Sequence, residues 1–97
     1  MTSQTKRAKS THTQIRQVFK YIHRHGSINR YEADRIGVCQ AAARIKNLVD
    51  KGACFIRVDE NNIADYHGTL HNGITRYSID WKSMTDEATV YFKEWLK

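Results

Sequence analysis

The sequence predicts an α+β domain: a three-helix core, a two- or three-stranded β-hairpin unit with a long loop, and an additional C-terminal helix. Three observations carry that expectation. Apolar residues recur at spacings of three and four before residue 50. Glycines stand at positions 26, 37 and 52, where each helical pattern stops. Beyond them the pattern changes to runs of β-branched and aromatic residues around positions 54–58 and 74–79.

Taken in order, Thr11 is a candidate cap for the first helix, with Gln14 three residues on. Ile15, Val18, Phe19 and Ile22 form its buried stripe and Gly26 ends it. Its exposed side carries Arg16, Lys20, His23 and Arg24. Asn29 caps a brief second helix whose Glu32 completes a capping box, followed by apolar Tyr31, Ala33 and Ile36. Gly37 supplies the left-handed backbone that turns the chain. The third helix is expected from Gln40 to Lys51, with Ala41, Ala42, Ile45, Leu48 and Val49 as its buried face. The opposite face then carries Gln40, Ala43, Arg44, Asn47 and Lys51, with Lys46 at its flank. Cys54-Phe55-Ile56-Arg57-Val58 reads as a strand. Ile74-Thr75-Arg76-Tyr77-Ser78-Ile79 reads as its partner, and the Asn, Asp and Gly of residues 59–73 read as a long hairpin loop. Ser83 or Thr85 caps the last helix, which begins with Asp86 and Glu87 and continues through Ala88, Tyr91, Phe92, Trp95 and Leu96. Its apolar stripe can pack on its own domain or pair with a second molecule as a homodimer contact.

The segments Ser27-Ile28-Asn29-Arg30-Tyr31-Glu32-Ala33, Ile36-Gly37-Val38 and Ala42-Ala43-Arg44-Ile45-Lys46-Asn47-Leu48-Val49-Asp50-Lys51-Gly52 resemble the small winged helix-turn-helix domains of phages and prophages. The resemblance covers about half the chain. It implies that residues 40–51 form a recognition helix and that the long hairpin is the wing. The chain departs from the family pattern at Ala41, where a larger aliphatic residue is typical, and at Val49 and Asp50, where basic residues are. An acidic Asp50 near the helix end weakens phosphate contact there.

The net charge of +6 over 97 residues is unevenly placed. Residues 1–30 hold Lys6, Arg7, Lys9, Arg16, Lys20, Arg24 and Arg30 and no acidic residue, while the remainder is nearly balanced. Three units are expected: a disordered basic arm over residues 1–10, the winged domain over 11–82, and the terminal amphipathic helix over 83–97. The arm can lie along phosphates or serve only as a solubilising tail. A domain of this size buries roughly two thirds of its unfolded surface. Phe19, Ile22, Ile45, Leu48, Phe55 and Trp81 are therefore its expected core. Neither a signal peptide nor an apolar run of membrane-spanning length is present, so the expected place is the cytoplasm of a bacterial host cell.

Chemically, the face of the third helix suits duplex DNA. Gln40 and Asn47 can bond two base edges at once, Arg44 can fork onto guanine, and Lys46 and Lys51 can neutralise phosphate. Ala43 leaves room for close approach. Lys6, Arg7, Lys9, Arg16, Lys20 and Arg30 would add contacts to the DNA backbone. The expected function is thus a sequence-specific double-stranded DNA-binding protein that regulates transcription for a phage or mobile element. The rival reading is a protein-interaction module acting through the wing or the last helix, favoured by Asp50, Asp59, Glu60 and Tyr66. Cys54, His67 and His71 have the spacing of half a zinc finger, but Cys39 stands too far from Cys54 to complete it, and neither metal nor cofactor is expected. Cys54 reads as a small core residue, Cys39 as a free thiol, and His67 and His71 as wing residues. A nuclease centre on Asp65, His67 and His71 is the one catalytic arrangement to weigh, and a non-enzymatic protein is expected.

Overall fold

An oxygen acceptor next to the first apolar stripe decides where the chain becomes helical. The computed structural model describes residues 10–97. Ser10, not Thr11, is the first cap: its Oγ accepts the Thr13 N–H at 3.1 Å and opens α1 (Thr11–His25). The reason is backbone geometry, because Ser10 is still extended while its carbonyl already takes the Gln14 N–H at 3.0 Å. Ile15, Val18, Phe19 and Ile22 are buried along α1, as their spacing predicts.

Residues 27–29 then run extended. Ile28 exchanges both backbone hydrogen bonds with Tyr77, each at 2.9 Å, and so contributes a single-residue third rung to the later sheet. Asn29 caps α2 (Arg30–Arg35). Its Oδ1 accepts the Glu32 N–H at 2.9 Å, and Glu32 Oε1 accepts the Asn29 N–H at 3.0 Å, closing the expected capping box. Gly37 turns the chain at φ 85° and delivers Val38, fully buried, into the core ahead of α3 (Ala41–Asp50).

The core side of α3 is narrower than the sequence pattern suggests. Ala41, Ile45 and Leu48 are buried, but Ala42 is exposed and Val49 is 41 % exposed. At about 100° per residue, Ala42 and Val49 stand about a quarter-turn off the line through the buried three, so they fall outside the contact with α1 and α2.

After the Gly52 turn, β1 (Phe55–Glu60) pairs antiparallel with β4 (Ile74–Ile79), from Phe55↔Ile79 to Glu60↔Ile74. The segment between them is not an open loop. It folds on itself as a smaller ribbon, β2 (Ile63–Ala64) with β3 (Leu70–His71), in the register Ile63↔His71. A 3-10 turn at Trp81–Ser83 leads to α4 (Asp86–Trp95), capped by Thr85 rather than Ser83 through a 3.1 Å bond from Ala88 N–H.

α4 packs on its own domain. Phe92 stacks on Phe19 with ring centroids 4.8 Å apart, and Trp95 and Trp81 meet Phe19 edge-on at 5.9 and 5.8 Å. Ala88, Phe92 and Trp95 are buried there, which leaves Val90 and Tyr91 as the exposed apolar residues of that helix. The expected core changes accordingly. Phe55 and Trp81 are only half-buried: Phe55 begins a ribbon with one covered face, and Trp81 lies between Phe19 and the Lys93 ammonium, 5.8 Å from its ring. Phe92, Ile28, Val18 and Val38 are fully buried instead.

Phe92→Ala removes the ring stacked on Phe19 and should cost about 3–5 kcal/mol, because a cavity remains where the ring was. In a domain this small, that corresponds to a fall in the thermal midpoint on the order of 15 °C or more, readable by circular dichroism.

Candidate nucleic-acid interface

Alternation along β4 places Arg76 on the sheet face it shares with Ile74 and Ser78, and the residue ties three elements together. Its Nε donates to Glu60 Oε1 at 2.8 Å on β1. Its Nη1 donates to Glu32 Oε1 at 2.9 Å on α2 and to Ser27 Oγ at 2.9 Å ahead of that helix. Partial burial would by itself weaken the guanidinium's hold on its proton, but its hydrogen bonds to the Glu32 and Glu60 carboxylates outweigh it and raise its pKa further. The wing is therefore bolted to the helix-turn-helix at the capping box of α2.

A second contact works in the same direction. The Tyr31 ring on α2 lies 5.6 Å from the His71 ring on β3, and the Arg30 guanidinium stands 5.5 Å over the same Tyr31 ring. Between the wing root at Gly73, Ile74 and Thr75, Arg30, and the first turn of α3 lies an open cleft of about 470 Å³. Gln40 gives no side-chain cap to α3 there, so the helix start, with its partial positive charge, lines the cleft without an internal acceptor from that residue. The juxtaposition of Arg30 with Gly73 and Gln40 has no signal in the sequence, since it depends on how the wing docks.

The residues expected on the recognition face divide into two groups. Gln40 and Lys46 are exposed on the outward side of α3, with Ala43 half-buried beside them. Lys46 Nζ lies 3.5 Å from Asp50 Oδ2, so the middle of this face carries a compensated charge. Arg44 and Asn47 lie on the flank against α1 and are half-buried. Arg44 Nη1 donates to Thr11 Oγ1 at 3.3 Å, while Arg44 Nε and Asn47 Oδ1 are buried without a hydrogen-bond partner among the described residues. Lys51 follows at the C-cap, exposed. The outward face is therefore turned from the expected one, toward Ala42, Lys46 and Val49 and away from Arg44.

On α1, Lys20 is exposed, but Arg16 is held over the Trp95 ring at 5.1 Å and donates to His12 Nε2 at 3.0 Å. Lys6, Arg7 and Lys9 lie outside the described residues.

At the wing tip, Asp65 organises the turn. Its Oδ1 accepts the N–H groups of His67 at 2.8 Å and Thr69 at 3.0 Å, and its Oδ2 meets His71 Nε2 at 2.8 Å. The His71 hydrogen bond, helped by the two backbone N–H groups and opposed by desolvation, holds the Asp65 carboxyl below the ordinary aspartate range. Both oxygens of Asp65 are thus engaged in holding the turn. Cys54 sits just ahead of β1 with Sγ 3.5 Å from the Ser83 carbonyl, and Cys39 is an exposed free thiol. Among the described residues, no group of three His, Cys, Asp or Glu side chains is arranged to hold a metal ion. No helix among them is long and apolar enough to cross a membrane.

A family model described as a winged helix-turn-helix domain matches residues 13–81, from the first turn of α1 to the residue that opens the 3-10 turn after β4. Neither comparison with curated proteins nor comparison with solved structures returns a match.

The wing tip makes a pH prediction. Because the folded-state pKa of Asp65 is depressed, its contribution to the turn is present above the ordinary aspartate range and is lost as pH falls through the lower folded value. As pH falls from ~5 to ~4, across the ordinary aspartate range, the amide resonances of His67 and Thr69 should therefore stay in place, and they should move only in stronger acid. Asp65→Asn keeps an acceptor for both amides and should preserve the turn, whereas Asp65→Ala should broaden both resonances.

Proposed function

The chain belongs to the winged helix-turn-helix family, and we propose on that basis that it binds double-stranded DNA with α3 in the major groove. The observation that carries the reading is the cleft between the first turn of α3, Arg30 and the wing root. Helix-turn-helix proteins read base edges with the start of the second helix, and this start is free of side-chain caps and built of small residues. Ala42 and Ala43 allow close approach and suit contact with thymine methyl groups. Gln40 suits adenine. Arg30 beside the cleft suits one phosphate strand, and Lys20 on α1 and Lys51 suit its continuation. Lys46 joins the readout by exchanging Asp50 for a base or phosphate.

Arg44 and Asn47 fit a supporting role in this reading. Arg44, bonded to Thr11, sets the angle of α3 on α1 and offers its remaining donors to the backbone of the duplex. Lys6, Arg7, Lys9 and Arg16 supply affinity independent of sequence. We read the protein as a non-enzymatic, sequence-specific transcriptional regulator of a phage or other mobile element, working without a cofactor in the cytoplasm of its bacterial host.

Specific observations favour a second reading, a protein-interaction module. Asp50 offsets Lys46 on the outward face, and Tyr66 and Leu70 on the wing are 63 % and 60 % exposed. An aromatic-anchored protein interface survives salt, whereas DNA binding through several phosphates falls steeply with it. Genomic fragments retained at two salt concentrations and then sequenced separate the two. A defined enriched site supports the regulator, and no retention at either salt moves the assignment to a protein partner.

Gln40→Ala should reduce discrimination between the enriched site and random DNA by ~1–3 kcal/mol, while Arg30→Ala should weaken both alike and lower the salt slope by about one. Electrophoretic mobility shifts across a salt series check both. Equal losses on specific and random DNA for Gln40→Ala would remove it from the readout.

A further inference from the structure

The sheet leaves one edge open. Ile28 and Tyr77 exchange N–H and C=O bonds in both directions, so the polar groups of Tyr77 point away from β1. Arg57 is the register partner of Tyr77 and is therefore not hydrogen-bonded to it. By the same alternation, the N–H and C=O groups of Phe55, Arg57 and Asp59 all point outward from β1. Among the described residues no strand pairs with that edge. Above it stand Ile56 and Val58, 50 % and 55 % exposed on one face of the strand. A six-residue edge bearing two exposed β-branched side chains is a template for strand addition unless something blunts it.

Charges of opposite sign two residues apart on this edge make it complementary to itself. We propose that β1 is a self-association surface, on which a second copy of this chain adds its own β1 antiparallel across a two-fold axis. One register satisfies the charges. Arg57 lies opposite Asp59 of the second copy, the axis repeats the pair as Asp59 opposite Arg57, and Val58 meets Val58 on the axis. Shifting the register to bring Arg57 opposite Arg57 sets like charges face to face, which is destabilising. Asp59 is already held by Thr75 Oγ1 at 2.9 Å, leaving one carboxylate oxygen for the pair, and Arg57 lies exposed with its guanidinium 5.8 Å over Tyr77. In this arrangement, Val58 occupies a non-hydrogen-bonded pair with Cα atoms about 4.5 Å apart, within the span of a disulfide. α4 offers a smaller apolar surface for association, since Phe92 and Trp95 are buried on Phe19.

The test uses the full chain without DNA, so its outcome is independent of the DNA reading. Sedimentation over a micromolar concentration range should show a monomer–dimer equilibrium. Arg57→Asp alone and Asp59→Arg alone should each weaken the dimer about tenfold or more, because both symmetric pairs turn repulsive. The double swap Arg57→Asp with Asp59→Arg should restore it, which a merely structural role for either residue would not do. In a Cys39→Ser background, Val58→Cys should form an interchain disulfide between the introduced thiols faster than Val90→Cys on α4 does. A monomer at every concentration overturns the proposal. So does a dimer indifferent to Arg57→Asp, or a Val58→Cys thiol that links no faster than the one at position 90.

Discussion

The arrangement of this protein depends on the charge cluster around Arg76. A guanidinium carries five donors in a fixed plane, and three of its neighbours here belong to separate elements: Glu60 on β1, Glu32 on α2 and Ser27 before α2. Glu32 Oε1 is at the same time the acceptor that closes the α2 capping box. One carboxylate thus sets the start of a helix and the docking of the wing, so the two cannot be displaced independently. Removing the arginine would leave two partly buried carboxylates without their counter-charge, which costs more than the ion pair itself contributes.

Behind that cluster, the aromatic packing on Phe19 holds the other side of the domain. Phe19 receives Phe92, Trp95 and Trp81 from the C-terminal quarter of the chain. Two large apolar residues, Phe92 and Trp95, thus anchor α4. The consequence for function is a division of surfaces: α1 gives one flank to α4 and the other to α3, whose outward side remains free beside the cleft. Gly52 shows how tight the junction is, since a Cβ there would lie 3.1 Å from the Ala88 Cβ.

Several of the sixteen Lys and Arg side chains behind the formal charge of +6 are engaged within the domain. Lys46 is balanced by Asp50, Arg76 by Glu32 and Glu60, and Arg16 is laid over Trp95. What distinguishes the site is shape, an open cleft between a helix start and a wing root, with Arg30 at its edge. Exposed Ile56 and Val58 mark a different surface, on the edge strand.

How much of this was legible follows from the range of the forces involved. Caps, glycine turns and the stripe of α1 are local, set by residues within four positions of one another, and Asn29, Glu32, Gly37 and the Ile15-to-Ile22 spacing stand in the chain as they stand in the fold. The order of helices and the partnered strands, and with them the winged helix-turn-helix class, followed from the same short-range patterns. Other features were decided only when distant segments met. Val49 and Ala42 fit an apolar stripe by spacing, but α1 and α2 are too narrow to cover them. Arg44 and Asn47 fit a polar face, yet α1 lies against that flank and takes them. Phe92 became the stacking partner of Phe19 across more than seventy residues, a pairing no periodicity can encode. Periodicity determines which side of a helix or strand is apolar, but only tertiary packing decides how wide the covered strip is and which polar residues remain outside it.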